Sequence, residues 1–266
     1  MRGIVMKQAE IYMEPGNPKE DILEKTNCVR ETVRLLNGIG KNNISASRGI
    51  LPGASGKNTD GGFLWNVKKT AESEIRTVTI MANDYPDIFS KIVGAFTLNG
   101  LDISGAKSFT QQGSTLDIFK VRAIPGHRFE EKKLEDAKSS LRAALTGKLD
   151  LSSEISRQIP KRQMLVSQTG KPNRITVNNK TSLLFSILEV STSDFPGLLF
   201  GITDALFRSD IHVWMAKIST KGDRVSDSFY IKDFEGQKIE SPQQISALRT
   251  TIRKALPNIL WDRDEV

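Results

Sequence analysis

Two stretches of the chain follow nearly the same pattern, and that pattern decides the fold. Residues 187–207 read ILEVSTSDFPGLLFGITDALF, and residues 77–97, which lie 110 positions earlier, read TVTIMANDYPDIFSKIVGAFT. Further matches follow on both sides in the same order without a gap. Such an ordered series is much more specific than a single motif and predicts two copies of one domain. We place copy one at residues 63–147 and copy two at residues 173–258.

Each copy contains the same succession of predicted strands and helices. Residues 76–81 alternate polar and apolar side chains, with the period of two that is typical of a half-buried strand. After the Asp-Tyr-Pro turn, apolar residues recur at helical spacing until Asn99-Gly100, which ends the helix. The order strand, helix, strand, strand, helix, with one additional strand, predicts an α+β fold of the ferredoxin-like βαββαβ type. Two such sheets could pack side by side or face to face.

The segments outside the two copies have a different composition. In the N-terminal segment 1–62, residues 18–37 carry an apolar stripe behind a proline and predict one helix, which a glycine-rich loop follows. Residues 148–172 are expected to form a solvated basic linker, and residues 259–266 a tail. The net charge of +7 is concentrated in and around this linker, so it does not by itself indicate a nucleic-acid partner.

The rarity of cysteine and histidine excludes several classes of site. Cys28 is the sole cysteine, so an internal disulfide framework and a cysteine zinc site are ruled out. The two histidines, His127 and His212, are not spaced like metal ligands or like members of a catalytic triad. We therefore predict no catalytic residues, no metal site and no cofactor. No apolar run is long enough to span a membrane and no signal-peptide core is present, so we expect a cytoplasmic protein without a membrane partner.

The turn between the first paired strand and the first helix of each copy is the candidate ligand site. The N-terminus of a helix presents free N–H groups and the positive end of the helix dipole, which suit a carboxylate. A preceding Asp can accept hydrogen bonds from an ammonium group, and a glycine after the proline lets a ligand approach the backbone. An α-amino acid carries both charges. The candidate residues are Asp194, Phe195, Gly197 and Leu198 in copy two, with Val213 and Trp214 as a wall, and Asn83, Asp84, Asp87 and Ile88 in copy one.

Structural roles for the same residues remain open at this point. Asp84 and Asp194 could be helix N-caps and nothing more, each contributing about 1 kcal/mol. His212 is expected on the surface of its strand. Asp117 and Asp227 recur at equivalent positions, but without a partner base or metal ligands we interpret both as structural.

The repeat, with Asp-x-Pro-Gly-Leu between strand and helix, resembles the ACT domain. In copy two the match is Asp194-Phe195-Pro196-Gly197-Leu198-Leu199. The tandem is similar to the C-terminal regulatory region of bacterial protein-PII uridylyltransferases, enzymes of nitrogen regulation that also remove the uridylyl group. The segments that carry this similarity are Asp204-Ala205-Leu206-Phe207, Phe229-Tyr230-Ile231-Lys232-Asp233 and Gly236-Gln237-Lys238-Ile239.

The resemblance implies an amino-acid-sensing regulatory module with glutamine as the ligand. The nucleotidyltransferase and metal-binding hydrolase domains of that family are not found in the sequence, so we expect the chain alone to be inactive as an enzyme. The alternatives are a dimerisation or interaction module without ligand, or a remnant of a full-length uridylyltransferase. The partners expected are the amino acid, a further copy bound through the sheets, and a regulatory or catalytic protein. Nucleic acid is not expected.

Overall fold

The structure is a computed structural model of the 266-residue chain. It describes residues 62–256 except 71–73, 86, 112, 125, 159–172 and 223. The expected helix at 18–37, the glycine-rich loop that precedes residue 62 and the tail at 259–266 lie outside the described residues.

The described residues form eight strands and five helices. The strands are β1 (Phe63–Lys69), β2 (Ile75–Asn83), β3 (Leu101–Gln111), β4 (Ser114–Ala123), β5 (Arg174–Asn178), β6 (Ser186–Ser193), β7 (Ile211–Lys221) and β8 (Arg224–Asp233). The helices are α1 (Ile88–Leu98), α2 (Glu131–Leu145), α3 (Leu151–Gln158), α4 (Leu198–Arg208) and α5 (Pro242–Ala255). Each copy therefore has the order strand, strand, helix, strand, strand, helix, with the additional strand first.

The two copies pack side by side in one antiparallel sheet. The strand order is β1-β2-β4-β3-β7-β8-β6-β5, so β3 of copy one pairs with β7 of copy two. In this pairing Lys107 lies opposite Lys217. These two lysines occupy equivalent positions in the repeat, so an approximate two-fold axis passes between them. The arrangement decides between the side-by-side and face-to-face packing that the sequence left open.

The helices form one layer on one face of the sheet, and the core lies between the two. Helix α1 contacts α2, α3 and α4, and α4 contacts α5. The strands alternate as expected: in β2, Val78 and Ile80 are fully buried, whereas their neighbours are partly exposed. Gly94 of α1 allows the close approach of the two copies, because a Cβ there would meet Phe200 of α4 at 2.8 Å. The buried residues of both copies form a single cluster.

The expected linker begins with a packed helix. Residues 151–158 form α3, in which Leu151 and Ile155 are buried. Asp150 precedes this helix and accepts hydrogen bonds from the backbone N–H and the hydroxyl of Ser153, at 3.2 and 2.7 Å. The expectation of a solvated segment missed this helix because it was based on the charges that follow it. Residues 159–172 of the linker lie outside the described part of the chain.

Candidate functional site

The candidate turn of copy two, residues 194–198, has a backbone that requires glycine. The Leu198 N–H donates to the Phe195 carbonyl at 3.1 Å, and Gly197 between them has φ 87° and ψ 0°. These angles are those of the third position of a type II turn, which favours glycine because φ is positive. Helix α4 begins directly afterwards at Leu198.

The equivalent turn of copy one, residues 84–88, has a different conformation. The Ile88 N–H donates to the Tyr85 carbonyl at 3.0 Å, but Asp87 has φ −102° and ψ 3°, as in a type I turn. The two turn types differ in the orientation of the peptide that joins their central residues. The Asp87 carboxylate also forms an ion pair with Lys91, at 2.6 Å. The substitution of Asp for Gly thus changes both the backbone and the charge at the start of α1.

Asp84 and Asp194 are not the N-caps of their helices. The N-cap positions are Asp87, whose side chain accepts no capping hydrogen bond within the described structure, and Gly197, which has no side chain to accept one. The N-cap interpretation of Asp84 and Asp194 is therefore wrong. Their carboxylates are turned to other partners, and the N–H groups of the first turn of α4 have no side-chain acceptor at the N-cap.

Each turn lies against the central strand of the opposite copy. Asp84 of copy one is 3.1 Å from His212 Nε2 at the start of β7, and the two side chains are only 14% and 15% exposed. The expectation that His212 is a strand-surface residue is wrong, because this inter-copy contact covers it. At the equivalent turn of copy two, Asp102 and Arg122 of copy one lie close enough to act electrostatically on Asp194.

The two residues predicted as the wall of the copy-two site lie elsewhere. Val213 pairs with Ile231 and is buried in the core. Trp214 is partly buried, and its ring centroid is 5.3 Å from that of His212, the residue that contacts Asp84. Trp214 is thus linked to the turn of copy one through His212. In the side-by-side packing, the start of β7 therefore lies at the turn of copy one, and the start of β3 lies at the turn of copy two.

The electrostatics of the copy-two turn favour a positively charged ligand group. Burial, with a smaller contribution from the Asp102 carboxylate, raises the pKa of Asp194 to about 6. Arg122 and the Phe195 N–H, which donates to the Asp194 carboxylate, act in the opposite direction. Arg122 Nε donates to Asp102 Oδ2 at 2.6 Å. Two carboxylates and one guanidinium leave a net negative charge where the copies meet.

A buried carboxyl lies behind each turn. Asp117 in β4 is 0% exposed and Asp227 in β8 is 2% exposed. Burial, with a smaller contribution from the turn carboxylate of the same copy, Asp84 or Asp194, raises the pKa of each to about 7. The Thr115 hydroxyl donates to Asp117 Oδ2 at 2.9 Å, and hydrogen bonding by the hydroxyls of Ser108 and Thr115 partly offsets the effect of burial on the Asp117 pKa.

The Ser219 N–H donates to Asp227 Oδ1 at 3.1 Å, so the buried carboxyl of copy two is bonded to the hairpin of its own copy. The structural interpretation of Asp117 and Asp227 agrees with these bonds. Their electrostatic coupling to the two turns was not predicted. Repeat matching would have revealed that both acids recur with the turn Asp, but not that the fold brings them together.

Sequence reasoning also missed Asp102, Arg122 and Lys232. The repeat itself contained the signal, because Asp102 is the counterpart of His212 and Arg122 is the counterpart of Lys232. In copy two, Lys232 Nζ lies 5.2 Å from the ring centroid of Phe185 and 5.5 Å from that of Trp214. The two copies therefore present different charged groups to the opposite turns.

The acidic residues at the two turns do not form a cluster of three or more metal ligands with other described residues. Within the described ranges, no group of three or more His, Cys, Asp or Glu residues could hold a metal ion. No helix of the described part of the chain is long and apolar enough to cross a membrane. What the copy-two turn offers is acceptors for an ammonium group, together with donors for a carboxylate.

The repeated fold and the paired turns define the class of protein, a tandem ACT-domain protein. The chain is 35% identical over 187 residues to the bifunctional uridylyltransferase/uridylyl-removing enzyme of Rhodospirillum rubrum, an alignment that covers 70% of this chain and 20% of that enzyme. It is 34% identical over 178 residues to the enzyme of the same name from Ruegeria pomeroyi, covering 65% of this chain and 19% of that enzyme. No family model matches the chain.

The chain is a tandem ACT-domain protein that resembles the C-terminal regulatory region of the bifunctional uridylyltransferases, and it spans about a fifth of the length of these relatives. Solved structures show more distant similarity. Aspartate kinase from Synechocystis gives a TM-score of 0.37 at 17% identity, covering 69% of this chain and 27% of that chain. The ligand-free regulatory subunit of aspartate kinase from Thermus thermophilus gives 0.23 at 12% identity, covering 73% and 96%.

Proposed function

We propose that the chain senses an amino acid, with glutamine as the ligand, and that the ligand binds between the copy-two turn and β3 of copy one. The observation that carries the proposal is the position of Asp194. This partly buried carboxylate lies where Asp84, which contacts His212, lies in copy one; Asp102 and Arg122 of the other copy act on it electrostatically, and the N-cap residue of the following helix is a glycine.

Each charged group of an α-amino acid has a counterpart at this place. The ammonium group would bind to the carboxylates of Asp194 and Asp102. The carboxylate would bind to N–H groups of the first turn of α4 that follow Leu198, whose own N–H donates to the Phe195 carbonyl, with Arg122 as a second donor. Glutamine is the ligand implied by the resemblance to uridylyltransferases. Asp194, Phe195, Gly197 and Leu198 form the turn in this proposal, and Asp102 and Arg122 replace Val213 and Trp214 as its wall.

A ligand at this place would contact both copies across the β3–β7 junction. Its binding would favour the arrangement in which the copy-two turn and β3 are close. The ligand can shift the equilibrium between this arrangement and a more separated one only by the difference between its binding free energies for the two. That difference also limits the effect on a partner protein. We propose as partner a protein with the nucleotidyltransferase activity named in the relatives, and we expect the chain alone to have no such activity.

Calorimetric titration with a panel of amino acids, glutamine first, tests the proposal. We expect saturable binding of one amino acid. Asp194→Asn should weaken it at least tenfold, since a charge-assisted hydrogen bond contributes about 1.5–3 kcal/mol. Asp136→Asn, which changes an exposed carboxylate on α2, is the matched control and should bind like the wild type. Gly197→Asp, which gives copy two the residue of copy one, should also abolish binding.

The pH dependence of the affinity provides a second test. The ammonium group requires an ionised Asp194, so the affinity should be constant above the Asp194 pKa of about 6 and should fall as the pH drops below it. Asp194→Asn should remove this dependence. Equal affinity of the wild type at pH 5 and pH 7.5 would contradict the assigned role of Asp194.

A second candidate function, self-association without ligand, is favoured by an apolar row on the sheet face that points away from the described helices. The row contains the partly exposed Met81, Met215 and Tyr230 and the buried Leu116 and Ile187, which are aligned by the strand register. The described helices form their layer on the opposite face. Absence of heat with every amino acid at millimolar concentration, together with a dimer that Met215→Glu dissociates in sedimentation, would favour this function instead.

A further inference from the structure

The two places where a turn meets the opposite copy are equivalent in the repeat but are filled differently. At the copy-two turn, Asp194 and Asp102 occupy the positions equivalent to Asp84 and His212, and Asp102, whose guanidinium partner is Arg122, acts electrostatically on Asp194. At the copy-one turn, the counterpart of Asp194 is Asp84, and the residue in the position of Asp102 is His212. One junction therefore brings two carboxylates together, whereas the other brings a carboxylate and an imidazole together.

We infer that His212 occupies the copy-one site as an internal substitute for the ligand's ammonium group, so that the chain binds one amino acid at copy two and none at copy one. This inference rests on the proposed function. It assigns to His212 the role of a specificity-determining residue that sets how many ligands a chain binds.

The position of His212 supports this role. Its Nε2 is 3.1 Å from Asp84 Oδ1, the distance at which a bound ammonium group would lie, and the side chain is 15% exposed. The Trp214 ring packs against the imidazole at a centroid distance of 5.3 Å and restricts its movement. A ligand ammonium group could reach the Asp84 oxygen only by displacing a side chain that is held on two sides.

The remainder of the copy-one turn is also occupied. Asp87 stands where Gly197 leaves the helix start uncovered, and it is paired with Lys91 at 2.6 Å. Lys232, the counterpart of Arg122, lies over the rings of Phe185 and Trp214. At copy two, Arg122 is the side-chain donor proposed to hold the ligand carboxylate. Its counterpart at copy one, Lys232, is instead engaged in a cation–π contact.

The copy-two site lacks an internal substitute. Asp102 is a carboxylate and cannot donate to an ionised Asp194, and the like charges of the two groups repel each other. Arg122 satisfies Asp102 through one hydrogen bond at 2.6 Å. The remaining negative charge is compensated when a ligand brings its own ammonium group.

The number of ligands bound by His212 variants tests the inference. We expect the wild type to bind one amino acid per chain in calorimetry. His212→Ala should add a second binding event, about tenfold or more weaker than the first because Asp87 remains in place. His212→Gln keeps a donor of similar reach and should leave one event, so it is the matched control. In His212→Ala, the further change Asp84→Asn should remove the second event.

The reciprocal substitution, which places a histidine at position 102, tests the inference without creating a new binding site. Asp102→His gives copy one the residue of copy two and should abolish binding, whereas Asp102→Asn should only weaken it. Thermal unfolding of each variant would identify any that fails to fold.

Two binding events in the wild type, or one event in His212→Ala together with unchanged affinity in Asp102→His, would overturn the inference and leave the proposed function standing. Absence of binding in the wild type and in His212→Ala would overturn both.

Discussion

The buried carboxyl of Asp117 predicts an unusual pH dependence of stability. In the folded protein burial raises its pKa to about 7, compared with the ordinary value of 3.8 that applies to the unfolded chain. Between these two values the folded state binds more protons than the unfolded state. The free energy of unfolding therefore does not suffer from this carboxyl below about pH 4, where the group is protonated in both states. It decreases as the pH rises to about 7, because the unfolded chain can ionise the carboxyl more easily than the folded protein.

The size of the effect follows from the difference between the two pKa values. At about 1.4 kcal/mol per pKa unit, the shift corresponds to roughly 4 kcal/mol once the pH is above 7, of which roughly 2–3 kcal/mol falls between pH 5 and pH 8. Asp227 has a similar pKa and should contribute a comparable loss. The wild type should thus be markedly more stable at pH 5 than at pH 8.

Asp117→Asn removes the titration and keeps the shape of the side chain. Its amide oxygen can still accept from the Thr115 hydroxyl, but its NH₂ group replaces a carboxyl oxygen and becomes a buried donor. The cost of that buried donor, about 1–3 kcal/mol, is the same at every pH. The informative quantity is therefore the change in the free energy of unfolding with pH, and not its absolute value.

Urea unfolding at pH 5, 6, 7 and 8 measures this quantity. The loss of stability between pH 5 and pH 8 should be smaller in Asp117→Asn than in the wild type by roughly 2–3 kcal/mol. Asp136→Asn, which removes an exposed carboxylate, should keep the wild-type dependence. If Asp117→Asn and the wild type lose the same stability over this range, Asp117 is ionised in the folded protein and the reasoning from burial is refuted.

Two further predictions concern the helix layer and its attachment. Gly94→Ala should lower the free energy of unfolding by about 1 kcal/mol, because overpacking against Phe200 exceeds the gain in helix propensity. Gly201→Ala, whose new Cβ meets the end of the flexible Leu256 side chain at 2.9 Å, should be close to neutral, and equal melting temperatures would contradict this contrast. A double-mutant cycle on Arg76 and Glu131, joined at 2.7 and 2.9 Å, should give a coupling of about 1 kcal/mol, since Glu131 is half exposed. A coupling near zero would show that the pair is not a structural contact.

Most of the fold within each copy could be predicted, because its elements carry local periods. The alternation in residues 76–81 and the helical spacing after Asp84 each arise within a single element, where side-chain direction depends only on the backbone geometry. The additional strand that comes first in each copy was also visible as a short apolar stretch at Phe63. Helix α3 was missed, since its apolar residues, Leu151 and Ile155, complete little more than one turn before the charged segment.

The candidate site could be predicted only in part. The Asp-x-Pro-Gly pattern identified the turn, and the positive φ of Gly197 confirms that the backbone there favours glycine. Val213 and Trp214 were assigned to the same site as part of the strand that follows the first helix within one copy, whereas the residues that act on Asp194 belong to the other copy. Whether Asp194 binds a ligand stays a prediction.

The sequence by itself determined that the chain contains two copies of one α+β unit, with a turn of defined chemistry at the start of each first helix. Only the tertiary structure decided which residues face these turns. Asp84 and His212 are 128 residues apart, and they meet because β3 pairs with β7 in the register that places Lys107 opposite Lys217. An exposed strand edge can pair with many others, and the choice depends on burial summed over both copies, which no local pattern records.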